Sequence, residues 1–257
     1  MCLILVAWRA HAEYPLLLAA NRDEYHARAA APAAWWPQPP ILAGRDLAAG
    51  GTWLAVARDG RFAALTNFRD PTLPQRAAPS RGELVPATLA ARLPAQRWLQ
   101  QLRRSAGNYN GFNLIFSDGE QLAVFESVAG DGRLLAPGVY GLSNHLLDTP
   151  WPKVQHAKSA LGAALARLPE EQALLDLLRD ERQADDAQLP RTGVSLAWER
   201  LLSSAFIRAP GYGTRCSSIL LMDRHGRVSF TEWSWDEAGQ PAGKVDYHFE
   251  TDAAVGA

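Results

Sequence analysis

The residue with the clearest chemical potential is Cys2, which follows Met1. Removal of Met1 would place a thiol and a free α-amine on one residue. A thiol has an ordinary pKa of about 8.5 and an α-amine one of about 7.7–8.0, so the amine is well matched to accept the thiol proton near neutral pH. Cys2 would then attack an acyl carbon as its own nucleophile and base, through an oxyanion and a thioester that water cleaves.

A second group of reactive side chains, Asn21-Arg-Asp-Glu24, directly follows the second apolar run of the chain. If the first two apolar runs are antiparallel neighbours, this strand end lies near Cys2. An acidic side chain there would hold the terminal ammonium, and Arg22 would favour the thiolate by its charge. Strand alternation allows only every second member to face Cys2. A buried strand cysteine and a solvated polar turn are the alternative interpretations of the two features.

Bulk properties exclude several classes of protein. The 26 Lys and Arg residues balance 27 Asp and Glu residues, so no global field attracts nucleic acid or an anionic membrane. The first apolar run is short and is interrupted by Arg9, His11 and Glu13, which argues against a signal peptide or a membrane-spanning segment. We therefore expect a cytoplasmic protein.

Only two cysteines are present, Cys2 and Cys216, which is too few for a disulfide framework. Cys216 is predicted to be a buried strand thiol, able to bridge to Cys2 only if the two come within disulfide distance. The six histidines show no metal-ligand spacing, so neither a metal nor a cofactor is predicted. Gly50-Gly-Thr-Trp53 lacks the lysine and spacing of a phosphate loop and predicts a turn into a strand.

Hydrophobic patterning predicts the elements that position these residues. Apolar runs predict strands at 3–8, 15–20, 52–57, 61–67, 112–116, 122–127, 218–223 and 227–233, and three pairs of them flank short Gly-containing turns. Helical spacing predicts helices at 81–93, 95–104 and 154–168, and a fourth after Pro169. Segregated runs of strands and helices favour an α+β fold with large antiparallel sheets. We expect a single domain over residues 1–257, with a frayed polar tail at 236–257.

Short motifs along the whole chain resemble one family, the transport and Golgi organisation protein 2 family, known for its Asn-Arg-Asp-Glu motif. The matching segments are Met1-Cys2, Ala20–Glu24, Ala49–Leu54, Ala64–Asp70, Ser80–Val85, Tyr109–Leu114, Gly141–His145, Pro150–Val154 and Gly213–Ser218. The resemblance implies a relative of the N-terminal-nucleophile (Ntn) hydrolases, with a four-layer α-β-β-α sandwich. More distantly, the chain is similar to penicillin V acylase and bile salt hydrolase, in which Cys2 would correspond to the nucleophile.

This resemblance implies roles for further residues. Asn67 resembles the oxyanion-hole asparagine of those acylases, and Asn144 and Arg215 resemble two residues near their nucleophile. Arg22 and Asp23 are the first candidates for partners of Cys2. The alternates for substrate binding are Asn21, Glu24, His145 beside Asn144, and Trp36 in a Pro-rich loop.

Two functions are therefore expected to compete. The first is hydrolysis of a non-peptide amide or related acyl bond through a Cys2 thioester, with a small acyl or amide compound as ligand. The second, implied by the family's association with lipid and haem handling, is a non-catalytic lipid or haem carrier on an Ntn-like fold.

Overall fold

A computed structural model describes residues 2–252 of the chain. Its strands are β1 Cys2–Trp8, β2 Leu16–Tyr25, β3 Ala30–Trp35, β4 Ile41–Asp46, β5 Leu54–Ala57, β6 Phe62–Asn67, β7 Phe112–Ser117, β8 Leu122–Glu126, β9 Asp131–Leu135, β10 Gly138–Leu142, β11 Arg208–Ala209, β12 Tyr212–Met222, β13 Arg227–Trp235 and β14 Pro241–Glu250. Its α-helices are α1 Leu84–Ala91, α2 Ala95–Ser105, α3 Pro152–Leu165, α4 Gln172–Leu178 and α5 Leu196–Leu201.

The sheet that carries Cys2 runs in the order β10-β1-β2-β12-β13-β14, and β11 pairs with β12. The condition set for the polar motif to lie near Cys2 is met, because β1 and β2 are antiparallel neighbours and their register pairs Cys2 with Arg22. The same Arg22 pairs on its other side with Cys216 of β12. The centre of this sheet therefore brings the chain start, the polar motif and the second cysteine into one row.

The other sheet contains β3 to β9 in sequence order, each antiparallel to the next. All three predicted hairpins are confirmed: β5–β6 and β7–β8 in this sheet and β12–β13 in the first. Their turns contain Gly60, Gly119 and Gly226, which have φ of 82°, 99° and 79°. Glycine adopts these left-handed conformations without the steric cost that a Cβ atom adds.

Three buried clusters show how the layers stack. One holds side chains from both sheets, such as Ile4, Leu18, Val56 and Phe62, and so lies between them. A second joins the β3–β9 sheet to α1 and α2, and a third joins the Cys2 sheet to α3 and α4. The predicted α+β fold with a four-layer α-β-β-α order is confirmed. No helix within residues 2–252 is long and apolar enough to cross a membrane.

The polar motif departs from the prediction, because β2 continues to Tyr25 and holds Asn21 to Glu24 inside the strand. Pairing with β12 along its whole length extends β2, since Tyr25 is opposite Tyr212 at the end of the ladder. Residues 32–51, between the predicted strands at 15–20 and 52–57, contain most of β3 and all of β4, which the apolar runs did not predict.

The predicted frayed tail is wrong for Pro241–Glu250, which forms β14 and pairs with β13. The polar residues of β14 alternate with half-buried ones, as in a strand that covers a core on one face. Residues 253–257 of the predicted tail lie outside the described part of the chain.

Candidate functional site

A cavity of about 340 Å³ opens beside Cys2 and is bordered by residues of both sheets. Cys2 and Arg22 of the first sheet line it, and Trp53 and Asn67 line it from the side of the β3–β9 sheet. Its walls are strongly charged for so small a space. The charged residues that line it are Arg22, Asp23, Glu24, Arg28, Arg45, Asp46, Arg81, Arg215 and Glu232.

Cys2 lines this cavity, with 9% of its surface exposed. Even-numbered residues of β1 face the space between the sheets, so Cys2 shares the face of Ile4 and Val6. Burial raises the pKa of the Cys2 thiol above its ordinary value, whereas the positive charge of Arg22 and the Asp23 backbone N–H favour the thiolate. The thiol is therefore protonated at neutral pH in this environment, and its attack requires a base.

Asn144 connects the backbone of Cys2 to Asn67. Its Oδ1 accepts a hydrogen bond from the Cys2 backbone N–H at 3.3 Å, and its Nδ2 donates to the Asn67 carbonyl at 2.9 Å. Ser143 supports the same point, because its Oγ donates to the Cys2 carbonyl at 2.9 Å. The orientation of the Asn144 amide is thus defined, because its oxygen faces a backbone N–H donor and its nitrogen faces a backbone carbonyl acceptor.

The Asn67 side chain lines the cavity at the end of β6. Thr66, the residue before it, is buried and donates from Oγ1 to the Ser143 carbonyl at 2.6 Å, which ties the end of β6 to the segment that holds Asn144. Among described residues the Asn67 amide has no hydrogen-bond partner, unlike that of Asn144, so its NH₂ group can donate to a ligand oxygen.

Asp23 is almost fully buried, and its Oδ1 accepts a hydrogen bond from Thr214 Oγ1 at 2.7 Å. Burial raises the pKa of Asp23, while the nearby ammonium of Lys153 and the Thr214 hydroxyl lower it. Lys153 comes from the first turn of α3 and is 3% exposed. Burial lowers the pKa of Lys153 to about 8, and the charge of Asp23 opposes this. The Asp23 carboxyl and the Lys153 amine therefore interact electrostatically near Cys2, on the side of the α3 layer.

Arg22 faces the cavity from the middle of β2. Its Nη2 lies 3.6 Å from Asp46 Oδ2, an oxygen that also accepts a 2.7 Å hydrogen bond from Arg28 Nε. The Nη1 atom of Arg22 is buried and has no hydrogen-bond partner among the described residues. Arg22 thus retains donor capacity next to the thiol.

Arg215 lines the same cavity, but its guanidinium is engaged elsewhere. Its Nη1 donates to three backbone carbonyls of the β2–β3 connection: Tyr25 at 2.9 Å, His26 at 3.3 Å and Arg28 at 2.9 Å. The reason is local, because the β2–β12 register shifts between Thr214 and Cys216 and makes Arg215 the extra residue of a β-bulge. Arg215 therefore holds the turn that closes one end of the cavity.

The four alternates lie in different places. Asn21 points away from the cavity and donates to the carbonyls of Leu178 at 2.7 Å and Ala205 at 2.8 Å. Glu24 lines the cavity. Trp36 donates to the Ala43 carbonyl at 3.0 Å and His145 contacts Thr149 at 2.9 Å, and neither lines the cavity.

Cys216 also lines the cavity but cannot bridge to Cys2 in this arrangement. The two cysteines flank β2 at the same register, so their Cα atoms are two strand spacings apart, roughly 9–10 Å. A disulfide needs Cα atoms within about 7 Å. No group of three or more metal-ligating side chains occurs within residues 2–252.

Three residues of the site were not singled out from the sequence: Arg81, Lys153 and Thr214. Each lies inside a segment that carried the family resemblance, next to Gly82, Pro152 and Gly213 respectively. A lysine at the start of a helix and an arginine before a glycine resemble ordinary surface residues in sequence. Only their burial beside Cys2 or Asp23 reveals them.

The protein is thus an α+β protein with a four-layer α-β-β-α sandwich, in which a charged cavity surrounds a cysteine at the second position. The model of the Transport and Golgi organisation 2 family matches residues 1–237. The chain belongs to this family, as its motifs predicted.

Curated relatives agree over most of their length. The chain is similar to the Transport and Golgi organization protein 2 homologs of Bos taurus and Homo sapiens, each 38% identical over 86% of this chain and 87% of the relative. It is 30% identical to Transport and Golgi organization protein 2 of Drosophila melanogaster, over 85% of this chain and 86% of that protein.

Among solved structures, the chain is similar to the Caenorhabditis elegans N-acylethanolamine-hydrolyzing acid amidase ortholog. The likeness covers 86% of this chain and 92% of that one, at 9% identity and a TM-score of 0.39. A likeness of this size supports no inference about activity.

Proposed function

We propose that this protein is an N-terminal cysteine hydrolase that cleaves a non-peptide amide or related acyl bond. The observation that carries the proposal is the link from the Cys2 backbone nitrogen through Asn144 to Asn67, at 3.3 and 2.9 Å. This link supports the proposal because Cys2, the nucleophile candidate, and Asn67, whose side-chain amide is available as a donor, both line one cavity.

The proposed reaction begins with removal of Met1, which makes the nitrogen of Cys2 an α-amine. This amine accepts the thiol proton as the sulfur attacks the acyl carbon. Such a base is needed because burial raises the pKa of the thiol. Collapse of the tetrahedral intermediate breaks the bond from carbon to the leaving group, which takes the proton from the ammonium. Water then attacks the thioester, releasing the acid and restoring the thiol.

The surrounding residues have separate roles in this proposal. Asn67 donates its amide N–H to the developing oxyanion, a contribution that is worth about 10²–10³ in rate for a single such donor in other enzymes. Asn144 orients the Cys2 nitrogen through its Oδ1. Arg22 stabilises negative charge on sulfur, and buried Asp23, held by Thr214, stabilises the ammonium form of the amine.

The alternative function, a lipid or haem carrier, requires a cavity whose walls are mainly apolar. Five arginines and four carboxylates line the cavity around Cys2, and its volume of about 340 Å³ is at the small end for ligand pockets. These features favour a small polar ligand, and thus the hydrolase.

Mass spectrometry tests the mechanism directly on the purified protein. We expect Met1 to be absent and an activated acyl ester, such as a p-nitrophenyl ester, to leave a transient thioester on Cys2. The Cys2→Ala variant should lose both the acyl adduct and ester turnover, whereas Cys216→Ser should keep them. Retention of Met1 on the whole population, or equal turnover by Cys2→Ala, would contradict the proposal. Haem or lipid binding that Cys2→Ala leaves unchanged, without turnover of any amide or ester, would favour the carrier.

A further inference from the structure

The cavity beside Cys2 contains an arginine N–H group that none of the cavity's carboxylates accepts. Asp46 accepts hydrogen bonds from Arg28 Nε and from two backbone N–H groups, of Ala48 and Ala49. Arg22 is 9% exposed, approaches Asp46 only to 3.6 Å and has a buried Nη1 without a partner among the described residues. An unpaired guanidinium nitrogen that is buried against a cavity costs free energy unless a ligand satisfies it.

A second arginine reaches the same space from the other sheet. Arg81 lies in a single 3₁₀ turn, Arg81–Glu83, between β6 and α1. Its Nη1 donates to the Gly111 carbonyl at 2.9 Å, and this is the one hydrogen bond that the guanidinium forms to a described residue. It is close enough to Glu24 and to Cys2 to interact electrostatically with both. The remaining donors of Arg81 are thus available at the cavity.

A close backbone contact fixes the position of Arg81. Gly51 packs against Gly82 so tightly that a Cβ atom on Gly51 would lie 2.5 Å from the Gly82 carbonyl carbon. The Thr52 backbone N–H donates to the Gly82 carbonyl at 3.0 Å and completes the contact. The backbone at Gly82, next to Arg81, is therefore held firmly, as expected of a segment that positions a ligand-binding residue.

Two further acids of the cavity, Glu232 and Glu24, also accept hydrogen bonds from other groups. Glu232 accepts hydrogen bonds from the Ala33 backbone N–H at 2.8 Å and from Ser218 Oγ at 3.1 Å. Burial also raises the pKa of Glu232. Glu24 accepts from the Tyr25 N–H at 2.9 Å. Among the described residues, neither carboxylate forms a hydrogen bond or an ion pair with Arg22 or Arg81.

We infer that the cavity recognises a carboxylate on the substrate, with Arg22 Nη1 and the guanidinium of Arg81 as donors. The substrate class is then a small amide or ester that carries a carboxylate near its scissile bond. That the carboxylate belongs to a substrate rests on the proposed function, whereas the binding of a carboxylate beside Cys2 does not depend on it.

A monoanionic carboxylate suits the site better than a phosphate. The planar guanidinium matches both groups. Four acidic side chains line the cavity, however, and their repulsion is larger for a dianion. The volume of about 340 Å³ also favours a small ligand.

The test uses two alkylating probes of similar size, iodoacetate and iodoacetamide, which differ in one negative charge. The ratio of their rates at Cys2 is measured by peptide mass spectrometry, which separates Cys2 from Cys216. The same chain unfolded in urea supplies the reference ratio. We expect the folded protein to favour iodoacetate over this reference by about tenfold, the effect of one charged hydrogen bond.

The variant Arg81→Gln should remove most of this preference, and Arg81→Lys should keep part of it, because lysine retains the charge but not the planar donor fork. Arg97→Gln, on the exposed side of α2, is the matched control and should behave as the wild type. Thermal unfolding of each variant verifies that the fold is retained.

Three results would overturn the inference: no preference for iodoacetate in the wild type, an unchanged preference in Arg81→Gln, or protection of Cys2 by inorganic phosphate and not by acetate at equal concentration. Because alkylation needs no turnover, a carboxylate preference in a protein that hydrolyses nothing would contradict the hydrolase and leave the carboxylate site intact. Turnover without the iodoacetate preference would support the hydrolase and contradict the carboxylate site.

Discussion

Neighbouring residues of the Asn-Arg-Asp-Glu segment do different work because strand alternation separates them. Asn21 faces the helical layer, where its amide satisfies the carbonyl of Leu178 at the end of α4 and that of Ala205. Arg22 faces the inter-sheet cavity and Cys2. One segment therefore secures the packing of a helix on the sheet and supplies charge to the candidate site.

Lys153 is expected to make stability depend on pH. Burial lowers its pKa to about 8, against about 10.4 in an unfolded chain. Between these values the unfolded state binds a proton that the folded state does not, so the unfolding free energy rises with pH. Relative to Lys153→Met, the wild type should gain up to about 3 kcal/mol between pH 8 and pH 10.5.

Urea unfolding of both proteins at pH 7, 8, 9 and 10 measures this difference. Lys158→Met, on the same helix but paired with Asp148 at the surface, is the control. A difference between wild type and Lys153→Met that stays constant over this range would show that burial does not lower the pKa of Lys153.

At the scale of elements, short irregular segments place the site residues that the strands do not. The bulge at Arg215 turns its guanidinium towards three carbonyls, and the 3₁₀ turn at Arg81 packs on the start of β5 through Gly51 and Gly82. The bulge interrupts the β2–β12 ladder, and the 3₁₀ turn lies between β6 and α1, outside any strand. The sheets supply a rigid frame, and these segments close it around the cavity.

Gly51→Ala is expected to displace the segment that carries Arg81. The added Cβ atom would lie 2.5 to 2.9 Å from three backbone atoms of Gly82, and backbone cannot move aside as a flexible side chain does. We expect a loss of about 1–3 kcal/mol in unfolding free energy, typical of overpacking, together with a reduced iodoacetate preference at Cys2.

Gly162→Ala provides the matched control, since nothing lies within 4 Å of the position its Cβ would take in α3. That change should stabilise the protein by about 0.5–1 kcal/mol, because alanine favours a helix. Equal stability of Gly51→Ala and wild type would contradict the tight contact with Gly82.

At the scale of the whole molecule, the last strand completes the layer between the sheets. Half-buried Val245, Tyr247 and Phe249 of β14 pack on the central cluster. Tyr247 Oη donates to the Ala33 carbonyl of the other sheet at 3.1 Å, and the ring of Phe249 meets that of Trp35 at 5.1 Å. The C-terminal strand therefore joins the two sheets at their edge.

Phe249→Ala is expected to lower the unfolding free energy by about 1–3 kcal/mol, less than for a fully buried phenylalanine because this one is half-buried. His248→Ala changes the exposed neighbour on the opposite face and should alter stability by less than about 0.5 kcal/mol. Chemical denaturation measures both. Equal effects of the two substitutions would mean that β14 does not cover the core.

Periodicity in the sequence determined much of this architecture. Apolar runs and Gly-containing turns predicted three hairpins, and three- and four-residue spacing predicted α3 and α4. These signals succeed because they reflect which face of each element is buried, a local property. The same reasoning missed β14, whose alternating pattern is polar on its outer face and only half-buried on its inner one.

The sequence also pointed to Cys2, Asn67 and Asn144, since a thiol at position 2 and the family motifs mark them without any knowledge of distance. Only the tertiary structure decided which groups surround that thiol. Arg81 and Arg215 donate to backbone carbonyls that lie 30 to 190 residues away in sequence. The Lys153 ammonium is buried without a hydrogen-bond partner among the described residues. Such non-local contacts and desolvation leave no periodic trace in a sequence, so charge and hydrogen bonding around Cys2 emerge only when the two sheets pack together.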